Sequence, residues 1–268
     1  MKLRKKNWQT GLLIMVLWGM YACQNDIGTA SLDFHLLKIE EEAALGPESH
    51  SPTCQIGIAI DEANDTSLVA RKINQAIAEA AFGNMSRSLS AAADSFSQTY
   101  VRQYKEKLYP LYLADIRHGA DASWYDYRFR LTTEHRSGRD GCLCYLIHKT
   151  RYEGGAREYQ ETISLNFDLN TGNLIQLDEV FLPTYRILLP PLIQRRLQAD
   201  FDCQSLEELQ DKGILRLAGI YIPANYEIGE DGITFIYNTD EIAPHETGSI
   251  TITLSYEEME TFMKPQNN

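Results

Sequence analysis

The chain has no apolar run long enough to cross a bilayer as a stable helix. Its leader run, Gly11 to Met20, covers ten residues where a span needs about 20. Histidine is sparse, and His35, His50, His118, His135, His148 and His245 never fall four apart, which excludes a zinc-binding His-Glu-x-x-His helix. A Gly-x-Ser-x-Gly elbow and a phosphate-binding glycine loop are also missing. No catalytic residue, metal ligand or cofactor is assigned on this basis. A Ser/His/Asp triad stays open, because its members converge only in three dimensions. Basic residues are in deficit, with 25 Lys+Arg against 37 Asp+Glu and a formal charge of -12. Such a surface repels nucleic-acid phosphates, weakens contact with anionic headgroups and speeds encounter with cationic partners, besides serving solubility. Low hydrophobicity is not among the deficits: at 44% hydrophobic, the chain can bury one sizeable core or two smaller ones.

The first 23 residues predict an export route. Lys2, Arg4, Lys5 and Lys6 form a cationic head before the apolar run, and Tyr21-Ala22-Cys23 places a cysteine after a small residue. Residues 1–22 are expected to be a signal peptide, with Cys23 acylated as in a lipobox and residues 23–32 forming a lipid-anchored tether. Met20 stands where such boxes usually carry Leu, and an ordinary leader with an incidental cysteine is the alternative. The leader holds four basic and no acidic residues, so its removal moves the formal charge from -12 to -16. By resemblance to lipoprotein sorting rules, Gln24 directs the protein to the outer membrane, facing the periplasm, with the lipid anchor as its membrane contact.

Four cysteines remain: Cys54, Cys142, Cys144 and Cys203. Cys142 and Cys144 lie two apart in a strand-like segment, so both thiols share a face and cannot easily pair with each other. Buried thiols, one or two disulfides involving Cys54 or Cys203, and metal or redox chemistry all stay open. A zinc site needs about four clustered ligands, and only this pair is clustered.

Periodicity outlines the rest. Asp33 to Ile39 predicts a strand, Glu40-Glu41-Glu42 a loop, and Cys54 to Ile60 a strand with alternating isoleucines. A helix is predicted from about Thr66 to Phe82, capped by Asp65 or Thr66 and closed by Gly83. A second is predicted from Ser95 to Arg117, kinked or ended by Pro110. Its stripe of Phe96, Tyr100, Tyr104, Leu108 and Leu111 suits core packing or a ligand platform. From Trp124 the period changes to two, giving strands at 124–133, 142–152 and 159–169, a turn, and a further strand at 174–177. A helix at 184–200, a short helical piece at 205–211, a hairpin around Gly229 to Gly232, a strand at 249–255 and a helix at 256–263 complete the chain.

The C-terminal motifs are specific. Ile222-Pro223-Ala224-Asn225-Tyr226, then Asp231-Gly232-Ile233-Thr234-Phe235, then Glu241-Ile242-Ala243-Pro244, and finally Ser255-Tyr256-Glu257-Glu258-Met259 resemble the C-terminal domain of RsiV-like proteins. Thr171-Gly172-Asn173-Leu174 and Leu177-Asp178-Glu179-Val180-Phe181 match the start of that domain's helix. Residues 33–118 resemble the smaller domain named after the deacetylase PdaC. The resemblance implies an α+β fold in which an antiparallel sheet with helices packed on one face (119–268) follows a smaller α/β unit (33–118). It also implies a non-catalytic extracytoplasmic binding module for a cationic protein such as lysozyme, or for a peptidoglycan fragment. A deacetylase activity is not implied, because that chemistry belongs to a separate domain with an Asp-His-His metal site.

One stretch departs from the family. Asp240 and His245 replace tyrosines, and Glu246 precedes Thr247. Asp240, Glu241, His245 and Glu246 are therefore the candidate binding residues of a more acidic loop, with Glu241 and Glu246 as contacts for Lys or Arg. The alternative is a fixed loop, in which Pro244 sets the backbone and Glu241 bonds backbone amides. A cell-wall glycan hydrolase using Glu241 and His245 as acid and base is the competing function. Oligomeric state is not legible.

Overall fold

Ile56, Ile58 and Ile60 alternate along β2 (Thr53–Ala63), and all three are buried. Burying each such side chain contributes roughly 1.5–3 kcal/mol, which commits this face of the strand to a core. The computed structural model describes residues 32–64, 66–84, 88–118, 121–155, 157–216 and 219–265. The leader, Cys23 and nearly all of the tether lie outside them. Among the described residues, no helix is long and apolar enough to cross a membrane.

The fold is α+β, with two sheets. In the first, β1 (Phe34–Ala44), β2, β3 (Tyr127–Ser137), β4 (Cys142–Glu153) and β5 (Tyr159–Asp168) lie side by side in chain order. Only the β2–β3 pair is parallel. Parallel neighbours need a crossover, here supplied by α1 (Leu68–Phe82) and α2 (Leu89–Asp115). Ile73 and Ile77 of α1 and Ala92, Ala93 and Tyr104 of α2 are buried against the isoleucine face. The aromatic stripe of α2 is core packing: Phe96 lies 4.7 Å from Phe129, and Tyr104 lies 5.2 Å from Tyr127, ring centre to ring centre.

The second sheet is antiparallel, with β6 (Asn225–Ile228), β7 (Gly232–Tyr237) and β8 (Ile250–Ser255) in order. Phe235 and Tyr237 are fully buried, in one core with Leu189, Ile193 and Leu197 of α4 (Tyr185–Asp200). Three short helices, α3 (Leu177–Val180), α5 (Leu206–Asp211) and α6 (Tyr256–Met259), close its flanks.

Strand β4 serves both cores. Leu143, Tyr145 and Ile147 face the helices of the first, while Cys142 and Cys144 enter the second. The two sheets meet at the outer edge of β5, where side-chain amides take the place of a neighbouring strand. Asn238 accepts from Thr162 N–H at 2.7 Å and donates to Thr162 C=O at 3.0 Å, and Asn225 accepts from Ser164 N–H at 3.1 Å. From the other side, buried Asn166 accepts from Ile228 N–H at 2.9 Å and donates to Tyr226 C=O at 2.7 Å. An otherwise unpaired strand edge is thereby satisfied.

Several expectations are revised. The first sheet runs across the boundary expected at 118–119, because β3 bonds directly to β2. Glu40 to Glu42 belong to β1 rather than to a loop, and Glu41 turns inward to accept a hydrogen bond from the Ser97 hydroxyl on α2. Ser67 caps α1, its hydroxyl accepting from Ala70 N–H at 3.1 Å, and Gly83 closes the helix at φ 64° as expected. Helix α2 begins six residues before Ser95, capped by Ser88, and runs through Pro110. The strand expected at 174–177 shrinks to one bridge between Leu174 and Phe167, and the closing helix becomes a 3-10 turn beyond Met259.

Candidate functional site

The segment after β7 contains all four candidate binding residues. It turns at Asp240, which adopts a left-handed φ of 67°, a conformation short polar side chains tolerate. Glu241 stays at the surface but is tied down by two hydrogen bonds. One carboxylate oxygen accepts from Asn238 N–H at 2.6 Å and the other from the Tyr221 hydroxyl at 2.7 Å. Burial and this carboxylate together push the Tyr221 hydroxyl well above the usual tyrosine range, so it stays a donor. Ile242 is buried, and its C=O accepts from Leu215 N–H at 2.7 Å. A 3-10 turn, His245–Thr247, ends the loop at Gly248, whose φ of 73° favours glycine.

His245 Nδ1 lies 2.9 Å from an Asp240 carboxylate oxygen, and Glu246 sits 3.6 Å from Arg157 with its side chain 75% exposed. Asp240, Glu241, Ile242 and Pro244 line a cavity of about 390 Å³ shared with Leu215 and Arg216. Glu241 and His245 bind separate partners, Tyr221 with Asn238 in one case and Asp240 in the other. The loop thus displays three exposed carboxylates, Asp240, Glu241 and Glu246, of which Glu241 staples the loop through its bonds to Asn238 and Tyr221.

A larger cleft was not legible in the sequence. It encloses about 600 Å³ between α3, α4 and residues 220–226, lined by Asp178, Tyr185, Arg186, Tyr221, Pro223 and Tyr226 among others. Arg186 reaches both Asp178 oxygens, at 2.7 and 2.8 Å. The Tyr185 hydroxyl, with Arg186, holds the Asp178 carboxyl below its ordinary range. Asp178 sits in the first turn of α3, where an acid suits any helix start, so its spacing from Arg186, eight positions later, gave no signal of the pair. Tyr221 belongs to both features, lining the cleft while its hydroxyl anchors Glu241.

Among the described residues, no three His, Cys, Asp or Glu side chains come together to hold a metal ion. Cys54, Cys142, Cys144 and Cys203 are buried free thiols. Burial pushes Cys54 up to about 12, which keeps it protonated and unreactive at neutral pH. The Cys144 thiol points at Ile228 C=O, 3.2 Å away, within the joint between the sheets.

Residues 178–257 match a family described as a protein of unknown function, DUF3298. A search of curated proteins found no match. The chain is similar to the crystal structure of a DUF3298 family member from Bacteroides fragilis, with 27% identity and a TM-score of 0.81 over 88% of this chain and 95% of that one. A DUF3298 family protein from Pseudomonas aeruginosa shares the fold at 14% identity, with a TM-score of 0.62 over 89% of this chain and 97% of that one. The DUF3298 match, residues 178–257, spans α4, the carboxylate loop and most of the lining of the 600 Å³ cleft.

Proposed function

We infer that this protein is a non-catalytic binding module of the cell envelope, lipid-anchored through Cys23, that receives a cationic protein partner on its C-terminal unit. The RsiV-like character of that unit, with a PdaC-like region before it, belongs to the same proposal. The observation that carries it is the construction of the Asp240–Gly248 loop. Both Glu241 oxygens are spent on internal bonds, which fixes the backbone and holds Asp240 and Glu246 outward at low conformational cost. A chain with formal charge -12 adds long-range attraction for a basic partner, and the loop adds a defined place for its Lys or Arg side chains.

The test is a titration of the full chain with lysozyme and with an unrelated protein of similar positive charge, at low and physiological salt. Lysozyme should bind more tightly than the control at physiological salt, where exposed charges are screened beyond roughly 8 Å. Asp240→Asn and Glu246→Gln should each weaken that binding several-fold. Equal affinity for both proteins, or indifference to both substitutions, would leave bulk electrostatics alone and remove this role.

A further inference from the structure

Gly57 sits in the middle of β2, between Glu40 on β1 and Arg130 on β3. A glycine there weakens a strand by roughly 0.5–1 kcal/mol relative to alanine, and such glycines often mark a close approach by a ligand. The backbone does not call for it, since Gly57 is not among the positive-φ glycines. Core packing does not call for it either. The nearest atoms a Cβ on buried Gly57 would meet are the flexible ends of two solvent-side side chains, Arg130 Nη1 at 3.3 Å and the Glu40 carboxylate at 3.3 and 3.5 Å. The glycine therefore preserves a notch, of about 290 Å³, on the face opposite the isoleucines.

The walls of the notch carry opposite charges. Glu40 and Glu42 stand on β1, Arg128 and Arg130 on β3, with Gln55 and Gly57 on the floor. The second rank is braced: Gln55 donates to Glu42 at 3.3 Å, and Arg128 lies 5.0 Å over the Tyr152 ring and 3.5 Å from Glu158. The front rank is not. Among the described residues, no ion pair joins Glu40 to Arg130, although both reach toward the same point above Gly57. The walls rise from strands two spacings apart, about 10 Å at the backbone. A simple anion would be attracted by one wall and repelled by the other, and so would a simple cation. Only a small ligand carrying both charges satisfies both walls.

We propose that the Gly57 notch binds an α-amino-acid head group, with its ammonium held by Glu40 and its carboxylate by the Arg130 fork. A guanidinium suits a carboxylate because its paired N–H donors match the two oxygens. The volume fits a head group rather than a whole macromolecular surface. The head group is either that of a free amino acid or one borne at the end of a peptide side chain. This site lies on other strands than the Asp240–Gly248 loop, and its proof or failure is independent of the cationic-partner proposal.

The full chain is titrated with glycine and D-alanine, with acetate and methylammonium as single-charge controls, and with a tripeptide whose side chain ends in a carbon bearing both ammonium and carboxylate. NMR shift changes give the affinities. The amino acids should saturate a single site, with both controls at least tenfold weaker. Glu40→Gln, Arg130→Gln and Gly57→Val should each lose at least tenfold, and Gly57→Val should melt no lower than the parent chain. That last variant fills the notch while keeping every charge, so it separates a binding role from a merely electrostatic one. Tighter binding of the tripeptide assigns the head group to a peptide, and equal binding assigns it to a free amino acid. Absence of saturable binding, controls as tight as amino acids, or undiminished binding by Gly57→Val would overturn the proposal.

Discussion

Replacing Asn166 by leucine tests what holds the two sheets together. Leucine has nearly the same size and would be welcome in an apolar interface, so a joint made by hydrophobic packing alone predicts a neutral or stabilising change. The amide bonds predict the opposite. Asn166 is 3% exposed, and its carbonyl accepts from Ile228 N–H at 2.9 Å. Without it that buried donor is orphaned, at a cost of about 1–3 kcal/mol. The bond to Tyr226 C=O, at 2.7 Å, is lost as well, but that carbonyl keeps the Ser164 hydroxyl, so this adds only about 0.5–1.5 kcal/mol. The expected loss is about 2–4 kcal/mol, a large share of the 5–15 kcal/mol typical of a folded domain. At about 2–4 °C per kcal/mol for a chain of this length, it should lower Tm by about 4–16 °C. Urea and thermal unfolding followed by circular dichroism would measure it. A change below about 0.5 kcal/mol would show that β6 finds other partners and that the amide joint is incidental.

Two further outcomes follow from local geometry. Glu258 caps its own helix, accepting from Ser255 N–H at 2.8 Å, and this backbone bond holds its carboxyl below the ordinary range. Its stabilising contribution is full above the unfolded carboxylate value of about 4.3 and is lost as pH falls through the lower folded value. Glu258→Gln should accordingly be less stable at neutral pH yet lose less stability on acidification, and identical acid melting curves for the two chains would refute this. Gly154→Ala should destabilise more than Gly155→Ala in paired thermal melts. Both glycines have positive φ, at 77° and 93°, but a Cβ on Gly154 would lie 2.3 Å from Trp124 C=O while one on Gly155 meets nothing.

The elements that periodicity could reveal were those whose partners are uniform and apolar. The alternating isoleucines of β2, the strands after residue 124 and the helix at 185–200 were all legible, because one buried face imposes one period. Elements defined by a single distant partner were not. Glu40 to Glu42 belong to a strand because they pair with Gly57 to Gln55, and Glu41 is accommodated there because Ser97, 56 positions away, donates to it. The start of α2 was hidden because, after Leu89, its buried residues are the alanines 92 and 93, which pack closely without announcing an apolar stripe. At the candidate loop the sequence offered two roles for Glu241, contact or staple, and only the geometry of Tyr221 and Asn238 distinguishes them. The asparagines at 166, 225 and 238 carry no pattern at all, since turn residues and edge caps share one composition.

Because β4 turns one side to each core, the native thiols are distributed as built-in gauges of internal motion. Cys54 lies in the first core, Cys203 in the second, and Cys142 and Cys144 in the second as well but on the strand that both cores share. Each is sealed, so alkylation at any of them proceeds only through transient opening, at a rate set by how often its own surroundings breathe. Mass spectrometry of labelled peptides would then resolve three kinds of opening within one molecule: loosening of either core, and parting of the layers along the strand they share.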